Sequence, residues 1–460
     1  FSIFRSDTGK LDIMNENGQC VQAGHYVVVQ KQSYRKLCRV TENGTFTLGK
    51  EQIEMKSLIG KPYWTTFQMI QSSKNKKTFT LEVAAKAETA EELRKTLSSG
   101  VDNRSITDDG TSQKLSKEEI EDLRESGKSS NEIVGRLIEN STSFAAKTEY
   151  SQEKYIKKKE RKYFRYLTIR KPTIDLVQEI YFKQDYARIS CLRMDTLAQL
   201  LSYCDVKADG TYMLYDSGSM GLPAAAMLNR IGSGTSGVII HLHPGNQAQT
   251  TLVQAMNYPG EQLERLLAVN LYSFLRLNHQ GEAAIMEEIA WKSSQSISNS
   301  QANGNSIPPP KVEVENCDDV TPQDSKVTDN SNSLKRKQTD EPVIAVEAKR
   351  PKWLLETRKA VDHCKETKVE GLAIIAKEHP LNIVKALLPF LGSSRPFVIY
   401  HCYREPLQET YVALKQRRDI LNLRLFSNFL RSYQVLPNRT HPDILTSDLG
   451  GYLLTGYLVD

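Results

Sequence analysis

Residues 211–245 read TYMLYDSGSMGLPAAAMLNRIGSGTSGVIIHLHPG, and the pattern sets the architecture of the C-terminal half. TYMLYD is an apolar run of strand length, SGSMG a glycine turn, LPAAAMLNRI an amphipathic helical stretch, and GVIIHLH a second apolar run behind another glycine turn. Strand, turn, helix, turn and strand make a βαβ unit. In a Rossmann-type nucleotide site, glycines in the first turn let the backbone approach the ligand, and a carboxylate after the second strand holds ribose hydroxyls. Both requirements are damaged here.

The class I methyltransferase form of the turn is an acidic residue followed by glycines at alternate positions. Asp216 and Gly218 fit it, Met220 stands in the second glycine's place, and Gly221 comes one residue late. A Cβ at Met220 would push into the space for S-adenosylmethionine. The second strand, residues 237–242, ends on His241 and His243 with no Asp or Glu. Two readings stay open: an ordinary structural βα turn, or a cofactor turn that has lost its ligand. The fold class expected is α/β, with a small β-barrel-like domain at the N-terminus and a Rossmann-like, class I methyltransferase-like domain carrying a degenerate cofactor site.

A chain of 460 residues has room for two or three domains. With 61 Lys+Arg against 55 Asp+Glu, any polyanion must be met by local clusters rather than by the whole surface. No apolar run approaches the roughly 20 residues of a membrane span. The start, FSIFRSDTGK, has neither basic nor apolar signal regions, and it begins with Phe, so a few preceding residues are expected to be absent. The seven cysteines contain no C-x-x-C pair, so neither a disulfide framework nor a zinc site is expected. A soluble, unexported chain with reduced thiols, in cytosol or nucleus, is the expectation.

Outward from the βαβ unit the chain divides into five segments: 20–85, β-barrel-like; 86–165, helical and basic connection; 166–290, first part of the Rossmann-like domain; 291–352, disordered insertion; 353–460, its second part. Residues 24–83 alternate with period 2 in short runs separated by turns, as in a small antiparallel barrel. Lys31, Arg35, Lys36, Lys74, Lys76 and Lys77 interleave there with Tyr34, Tyr63, Trp64 and Phe79, which fits a nucleic-acid surface or a lysine-protected sheet edge equally well. Ser116 with Glu119, and Ser129 with Glu132, are capping boxes of two short helices. The first of these is acidic (Glu118, Glu119, Glu121, Asp122) and would be repelled by phosphate, which argues against a DNA-reading helix-turn-helix.

Residues 154–162 hold six cations between tyrosines, either a solvated helix face, an import signal or a phosphate contact. Helices are expected at 174–183 and 195–203. The insertion is rich in Ser, Asn, Gln, Asp and Pro, and its basic clusters at 335–337 and 349–352 have bipartite import spacing, pointing to the nucleus. The sheet resumes with strand 371–376, helix 381–391, strand 396–402, helix 407–417, strand 420–425, and a closing pair around 431–436 and 452–459.

DNRSITDDGTSQKL, LIENSTSF, KTEYSQEKYIKKKERKY, RMDTLAQLL, SRPFVIYHCYREPL, residues 421–425 and RSYQVLPNRTHP with GGYLLTGY occur in this order over most of residues 103–457. Together they resemble the non-catalytic, RNA-binding subunit of the eukaryotic tRNA (adenine-58-N1) methyltransferase. The resemblance implies a catalytic methyltransferase paralogue as partner, two copies of each subunit, tRNA held across both, and S-adenosylmethionine bound only by the partner. In the catalytic paralogue, the strand equivalent to 371–376 leads into an Asp-x-Pro-type motif whose Asp works beside the target adenine. Here it leads into Lys377, Glu378, His379 and Pro380. A charged lysine cannot accept a proton from the adenine edge but can hold a phosphate; Glu378 keeps a carboxylate one residue away.

The function implied is a tRNA-binding and scaffolding subunit, needed by its paralogue for N1-methylation of the T-loop adenosine. The alternatives are an active RNA methyltransferase with an atypical cofactor loop, and a nucleic-acid-binding protein acting alone. No metal, membrane or catalytic residue is expected. Lys377 and Arg404 follow successive strands and should share a rim; Lys415, Arg417 and Arg418 come ahead of the next strand. By resemblance the RNA contacts also include Asn103, Arg104, Ser105, Asp108 and Gln113 of one loop, and Lys154, Tyr155, Lys157, Lys158, Lys159, Arg161 and Lys162 of the cluster. Lys183, Arg188, and Asn438, Arg439 and His441 of a late loop complete the set.

Overall fold

The structure, a computed structural model, describes residues 20–71, 78–84, 90, 93–94, 100, 112–125, 129–302, 351–435, 440–444 and 450–460. The N-terminal half contains β1 (Tyr26–Lys31), β2 (Tyr34–Arg39), β3 (Thr45–Leu48), β4 (Glu51–Glu54), β5 (Thr66–Gln71) and β6 (Thr78–Val83). Next come α1 (Lys117–Glu125), α2 (Ser130–Glu139), α3 (Glu149–Tyr163) and β7 (Tyr166–Arg170). The strands form one sheet in the order β2-β1-β7-β5-β6-β4-β3. Alternation turns Val27, Val29, Phe46, Ile53, Phe67, Met69, Phe79 and Leu81 onto one buried face. The outer strands are bridged by the Lys36 ammonium, which donates to the Thr47 carbonyl at 2.9 Å.

The sequence reading starts the second domain at residue 166, but β7 is the middle of the first sheet. It pairs antiparallel with β1 (Val29 opposite Ile169) and with β5 (Phe67 opposite Leu167). Leu167 and Ile169 are the inward side chains that complete the barrel core. The partners lie far away in sequence, so local pattern could not assign the strand. Helices α1–α3 are therefore an excursion between β6 and β7. The first capping box forms in full, Ser116 Oγ accepting from the Glu119 amide (3.1 Å) while the Glu119 carboxylate accepts from the Ser116 amide (2.8 Å); of the second the serine half forms, Ser129 Oγ accepting from the Glu132 amide (3.1 Å).

The C-terminal half continues with α4 (Ile174–Asp185), α5 (Met194–Tyr203), β8 (Thr211–Asp216), α6 (Leu222–Ile231), β9 (Val238–His243), α7 (Thr251–Ala255), α8 (Gly260–Glu264) and β10 (Leu266–Asn270). After α9 (Leu271–Ala302) and α10 (Lys352–Glu366) come β11 (Gly371–Ile375), α11 (Pro380–Leu387), β12 (Arg395–His401), α12 (Glu405–Lys415), β13 (Ile420–Phe426), β14 (Tyr433–Gln434), β15 (His441–Pro442) and β16 (Tyr452–Leu458). The sheet order is β10-β9-β8-β11-β12-β16-β13. Numbered within the sheet this reads 3-2-1-4-5-7-6, with the last strand in sequence antiparallel to both neighbours, as expected of a class I methyltransferase-like domain. The expected closing pair of 431–436 with 452–459 does not form. β16 instead slots between β12 and β13, because Leu453, Leu454 and Thr455 are buried and need a neighbour on each side, whereas Tyr433 is exposed and pairs only with the short β15.

The halves are joined at several points along β1, β2 and α4. Asn257 accepts from the Tyr26 amide through its side-chain oxygen and donates back to the Tyr26 carbonyl, both at 2.8 Å, and Val28 packs on Leu176 and Ile180 of α4. Residues 269–366 form a separate compact unit. In it α9 breaks at Gly281 (φ 80), Phe274, Leu277, Ile285, Leu354 and Val361 are buried, and Arg358 pairs with Glu282 at 3.0 Å. Disorder was expected from residue 291, yet α9 runs on to Ala302; residues 303–350, with most of both basic clusters, lie outside the described residues.

Candidate functional site

Strands β9, β8, β11 and β12 run parallel, so His243, Asp216, Lys377 after β11 and Arg404 after β12 lie along one rim. Asp216 is nearly enclosed, 4% exposed. Its Oδ1 accepts from the Gly218 amide (3.0 Å) and the Ser219 amide (2.9 Å), and its Oδ2 from the Ser219 hydroxyl (2.5 Å). The acidic residue of the glycine turn is thus spent on holding the turn. Met220 takes a left-handed φ of 58, pinned by its amide donating to Gln249 Oε1 (3.3 Å) and its carbonyl accepting from the Leu252 amide (3.1 Å). Gly221 is required where it stands, since φ is 77 and a Cβ would come within 2.5 Å of the Gln249 carbonyl.

Lys377 closes the same turn from above. Its amide donates to Ser217 Oγ at 2.8 Å, and its side chain crosses Gly218 so closely that a Cβ there would lie 2.6 Å from Nζ and 2.8 Å from Cε. The room left by the glycine's missing side chain is filled by the lysine. Burial, and then the Glu378 carboxylate hydrogen-bonded to it, push the Tyr215 phenol above its usual range, so Glu378 is turned onto β8. His379 Nε2 meets the Glu409 carboxylate at 2.9 Å while its Nδ1 caps α11 by accepting from the Leu381 amide at 3.4 Å.

His243 ends β9 at the place of the ribose carboxylate, and two residues before it His241 is 1% exposed, with no hydrogen-bond partner at either ring nitrogen among the described residues. Burial holds its pKa below the ordinary value, against the opposing pull of Asp216. A residue set with its acid occupied, its glycine covered and a single-acceptor imidazole in place of the carboxylate that clamps both ribose hydroxyls does not fit S-adenosylmethionine.

Sequence reasoning missed one contributor. Ser190 and Cys191 both take left-handed φ (52 and 55), positions where glycine would be expected, and they fold against the cleft. Ser190 Oγ donates to the Gly218 carbonyl (3.1 Å), and the Ser190 carbonyl accepts from the Tyr400 hydroxyl (2.8 Å) and the Cys402 thiol (3.0 Å). Burial, then Cys402, push the Cys191 thiol up to about 12.

The basic cluster is organised differently. On α3, Lys154, Lys157, Lys158, Arg161 and Lys162 fall at i, i+3, i+4, i+7 and i+8, hence on one helical face about 12 Å long, and all five are exposed. The other side is anchored by buried Gln152, Ile156 and Tyr163. Arg94 draws off the helix's acids, meeting Glu153 at 3.2 Å and Glu160 at 2.8 Å, though Glu153 also reaches Lys157 at 3.5 Å. Tyr155 and Lys159 leave the face: Tyr155 packs edge-on against Phe144 at 5.3 Å, burial raises its phenol to about 12, and Lys159 lies 5.0 Å from its ring centre. Burial, then Lys162 and Lys158, hold Lys159 below the usual lysine range.

The other sequence candidates are scattered. Lys183 is exposed beside Glu179 (2.5 Å), and Arg188 beside Asp185 (3.0 Å). Lys415, Arg417 and Arg418 precede β13, which runs parallel to β12, so they sit at the end of the sheet opposite Lys377 and Arg404; Arg417 forks onto Asp419 at 2.9 and 2.6 Å. Gln113 donates to the Leu137 carbonyl (3.2 Å), and His441 Nε2 lies 3.2 Å from Gln434 Nε2. Asn103, Arg104, Ser105, Asp108, Asn438 and Arg439 lie outside the described residues. Among the described residues, no group of three or more His, Cys, Asp or Glu could hold a metal ion, and no helix is long and apolar enough to cross a membrane.

The Gcd10p family model matches residues 20–305. The tRNA (adenine(58)-N(1))-methyltransferase non-catalytic subunit TRM6 of Mus musculus is 34% identical over 459 residues, covering 96% of this chain and 88% of the mouse protein. The protein of the same description from Dictyostelium discoideum is 27% identical, over 96% of this chain and 80% of its own length. Among solved structures, the tRNA (m1A58) methyltransferase TrmI of Aquifex aeolicus aligns at a TM-score of 0.40 and 7% identity, covering 96% of this chain and 99% of that one. Matched by the family model over more than half its length and by a one-third-identical relative over almost all of it, the chain belongs to the Gcd10p family, with the non-catalytic subunits of tRNA (adenine(58)-N(1))-methyltransferase.

Proposed function

We propose that this chain binds tRNA and scaffolds a catalytic paralogue that methylates N1 of the T-loop adenosine, two copies of each subunit forming the complex. The observation that carries the RNA-holding role is the cationic face of α3. Five exposed cations on one helical face, with Glu153 and Glu160 of the same helix engaged by Arg94, are placed to neutralise successive phosphates. Base recognition and chemistry then fall to the partner, because the cleft that would serve them here is filled from within.

A partner surface is supported at the sheet edge. β13 is an edge strand, and Leu421, Phe429, Leu430, Val435 and Ile444 on and after it are exposed, Phe429 by 85% and Ile444 by 89%. Exposed large apolar side chains on and after an edge strand fit a protein partner. For localisation, the basic clusters at 335–337 and 349–352 support import into the nucleus. Deleting 303–350 should move the protein to the cytosol while a purified complex still methylates; loss of assembly would assign the segment to the partner interface instead.

The central experiment compares methyl transfer to tRNA by this chain alone, the paralogue alone and both together. Only the mixture is expected to be fully active, with this chain alone inactive. Turnover by this chain alone would overturn the proposal.

A further inference from the structure

The tip of the β1–β2 hairpin stands between two open pockets. Gln32 and Ser33 make the turn, Gln32 at a φ of 55, a left-handed conformation that costs a glutamine free energy. On one side a cleft of about 490 Å3 is lined by Lys31, Gln32, Tyr34, Gly49 and, from α3, Arg161. On the other a pocket of about 210 Å3 is lined by Tyr34, Arg35, Glu179, Ile180 and Lys183. Ser33 and Tyr34 line both, and the Tyr34 ring is 48% exposed.

The charges around it do not cancel. Lys31 is paired with Glu51 at 2.6 Å, and Glu179 is shared between Arg35 and Lys183. Two carboxylates against four cations, counting Arg161, leave one net positive charge on each flank of the ring. Among the described residues Gln32 Nε2 is buried with no hydrogen-bond partner, an unused donor on a residue of the larger cleft's wall.

We propose that this hairpin is a stacking station for an unpaired nucleotide of the bound RNA. Its base lies on the Tyr34 ring, and its flanking phosphates are met by Arg161 on one side and Lys183 on the other. The proposal rests on the RNA-holding reading and deepens it: a strand lying on the cationic face of α3 continues past Arg161, over the hairpin, to the end of α4. An aromatic ring between two cations is the chemistry that binds single-stranded nucleic acid without regard to sequence, because every base has a π-face. The larger cleft has the volume of an ordinary small-ligand site. Its walls mix the cations Lys31 and Arg161 with Tyr34 and Leu48, a lining that suits a phosphate and a base together.

The test uses the full chain assembled with its catalytic partner and an unmodified tRNA transcript, with affinity measured across a salt series. Tyr34→Ala should weaken binding about ten-fold, the loss of one stacked base, without changing the salt slope. Tyr34→Phe should keep the affinity. Arg161→Gln should lower the slope by about one phosphate. Unchanged affinity in Tyr34→Ala, or a Phe variant as weak as the Ala variant, would overturn the stacking station; so would loss of co-purification with the partner, which would make the hairpin a protein contact. Reversing charge at Lys154, Lys158 and Lys162 separates the two ideas. If that variant loses tRNA while Tyr34→Ala does not, only the hairpin proposal fails; if neither loses tRNA, the RNA-holding reading fails with it.

Discussion

The glycine turn after β8 and the exposed face of α3 hold similar residue types and use them in opposite ways. At the turn the charged groups are engaged by the fold itself, even where, as for Lys377 and Glu378, the residue stays exposed: Asp216 takes three hydrogen bonds from its own loop, Glu378 is bonded to Tyr215, and the Lys377 chain covers Gly218. On α3 Arg94 engages Glu153 and Glu160, and although Glu153 also reaches Lys157, the five cations of the face stay exposed to water. A nucleotide site can therefore lose its ligand while keeping most of its residues, because those residues also fold the turn. A phosphate-binding surface needs the reverse, charge that folding does not consume.

The largest effect should come from breaking the α3 side of the comparison. Lys154→Glu, Lys158→Glu and Lys162→Glu together change only exposed positions. Three lost phosphate contacts should weaken tRNA binding on the order of 100-fold near physiological salt and lower the salt slope by about three. Co-purification with the partner should persist. Equal affinity in wild type and variant would make the face an ordinary solvated surface.

Next comes Asp216→Ala, which breaks the cleft side. It strands two buried amides and the Ser219 hydroxyl, and should destabilise the chain by about 2 kcal/mol in denaturant unfolding. tRNA affinity of the folded protein should stay within about two-fold, because no phosphate contact is touched. A large loss of tRNA binding with unchanged stability would return Asp216 to the functional surface.

The sequence displayed the βαβ unit, the resumed sheet and the decayed turn, because glycine spacing and apolar periodicity are local. It concealed whatever depended on distant pairing. β7 reads like the start of the second domain but completes the first barrel, and β16 reads like half of a closing pair but lies between β12 and β13. The site was legible in the same proportion. The cations of 154–162 were visible as a cluster, but only helical geometry separates the five on the face from Lys159, which packs on Tyr155. The left-handed Ser190 and Cys191 carried no signal, since turn chemistry predicts glycine at such φ.

A smaller effect concerns pH. Burial depresses the folded-state pKa of His241 below its ordinary 6.5, so as pH falls through that value the unfolded chain takes up a proton that the folded chain refuses. Stability should then drop on the acid side, with a slope of up to about 1.4 kcal/mol per pH unit from this one group. His241→Met should flatten that slope between pH 7.5 and 5.5 in denaturant unfolding. The residual slope belongs in part to His243, which burial shifts in the same direction. An unchanged slope would mean that His241 is solvated or paired in the folded protein.

The smallest expected effect is none at all, and it is the sharpest test of why the cleft lost its ligand. Met220 is the residue that most visibly departs from the glycine pattern, so a reading based on that pattern alone expects Met220→Gly to restore cofactor binding. The geometry expects otherwise. With glycine at 220, the Lys377 chain would still cover Gly218, Asp216 would still be consumed by Gly218 and Ser219, and His243 at the end of β9 would still stand where ribose hydroxyls need a carboxylate. Titrating S-adenosylmethionine into Met220→Gly by calorimetry should give no heat of binding at micromolar concentration, and adding Lys377→Ala should not change that, because the carboxylate is still missing. Micromolar binding by the single variant would show that one side chain had closed the site, and that the engagement of its charged groups was a consequence of folding with no bearing on the ligand.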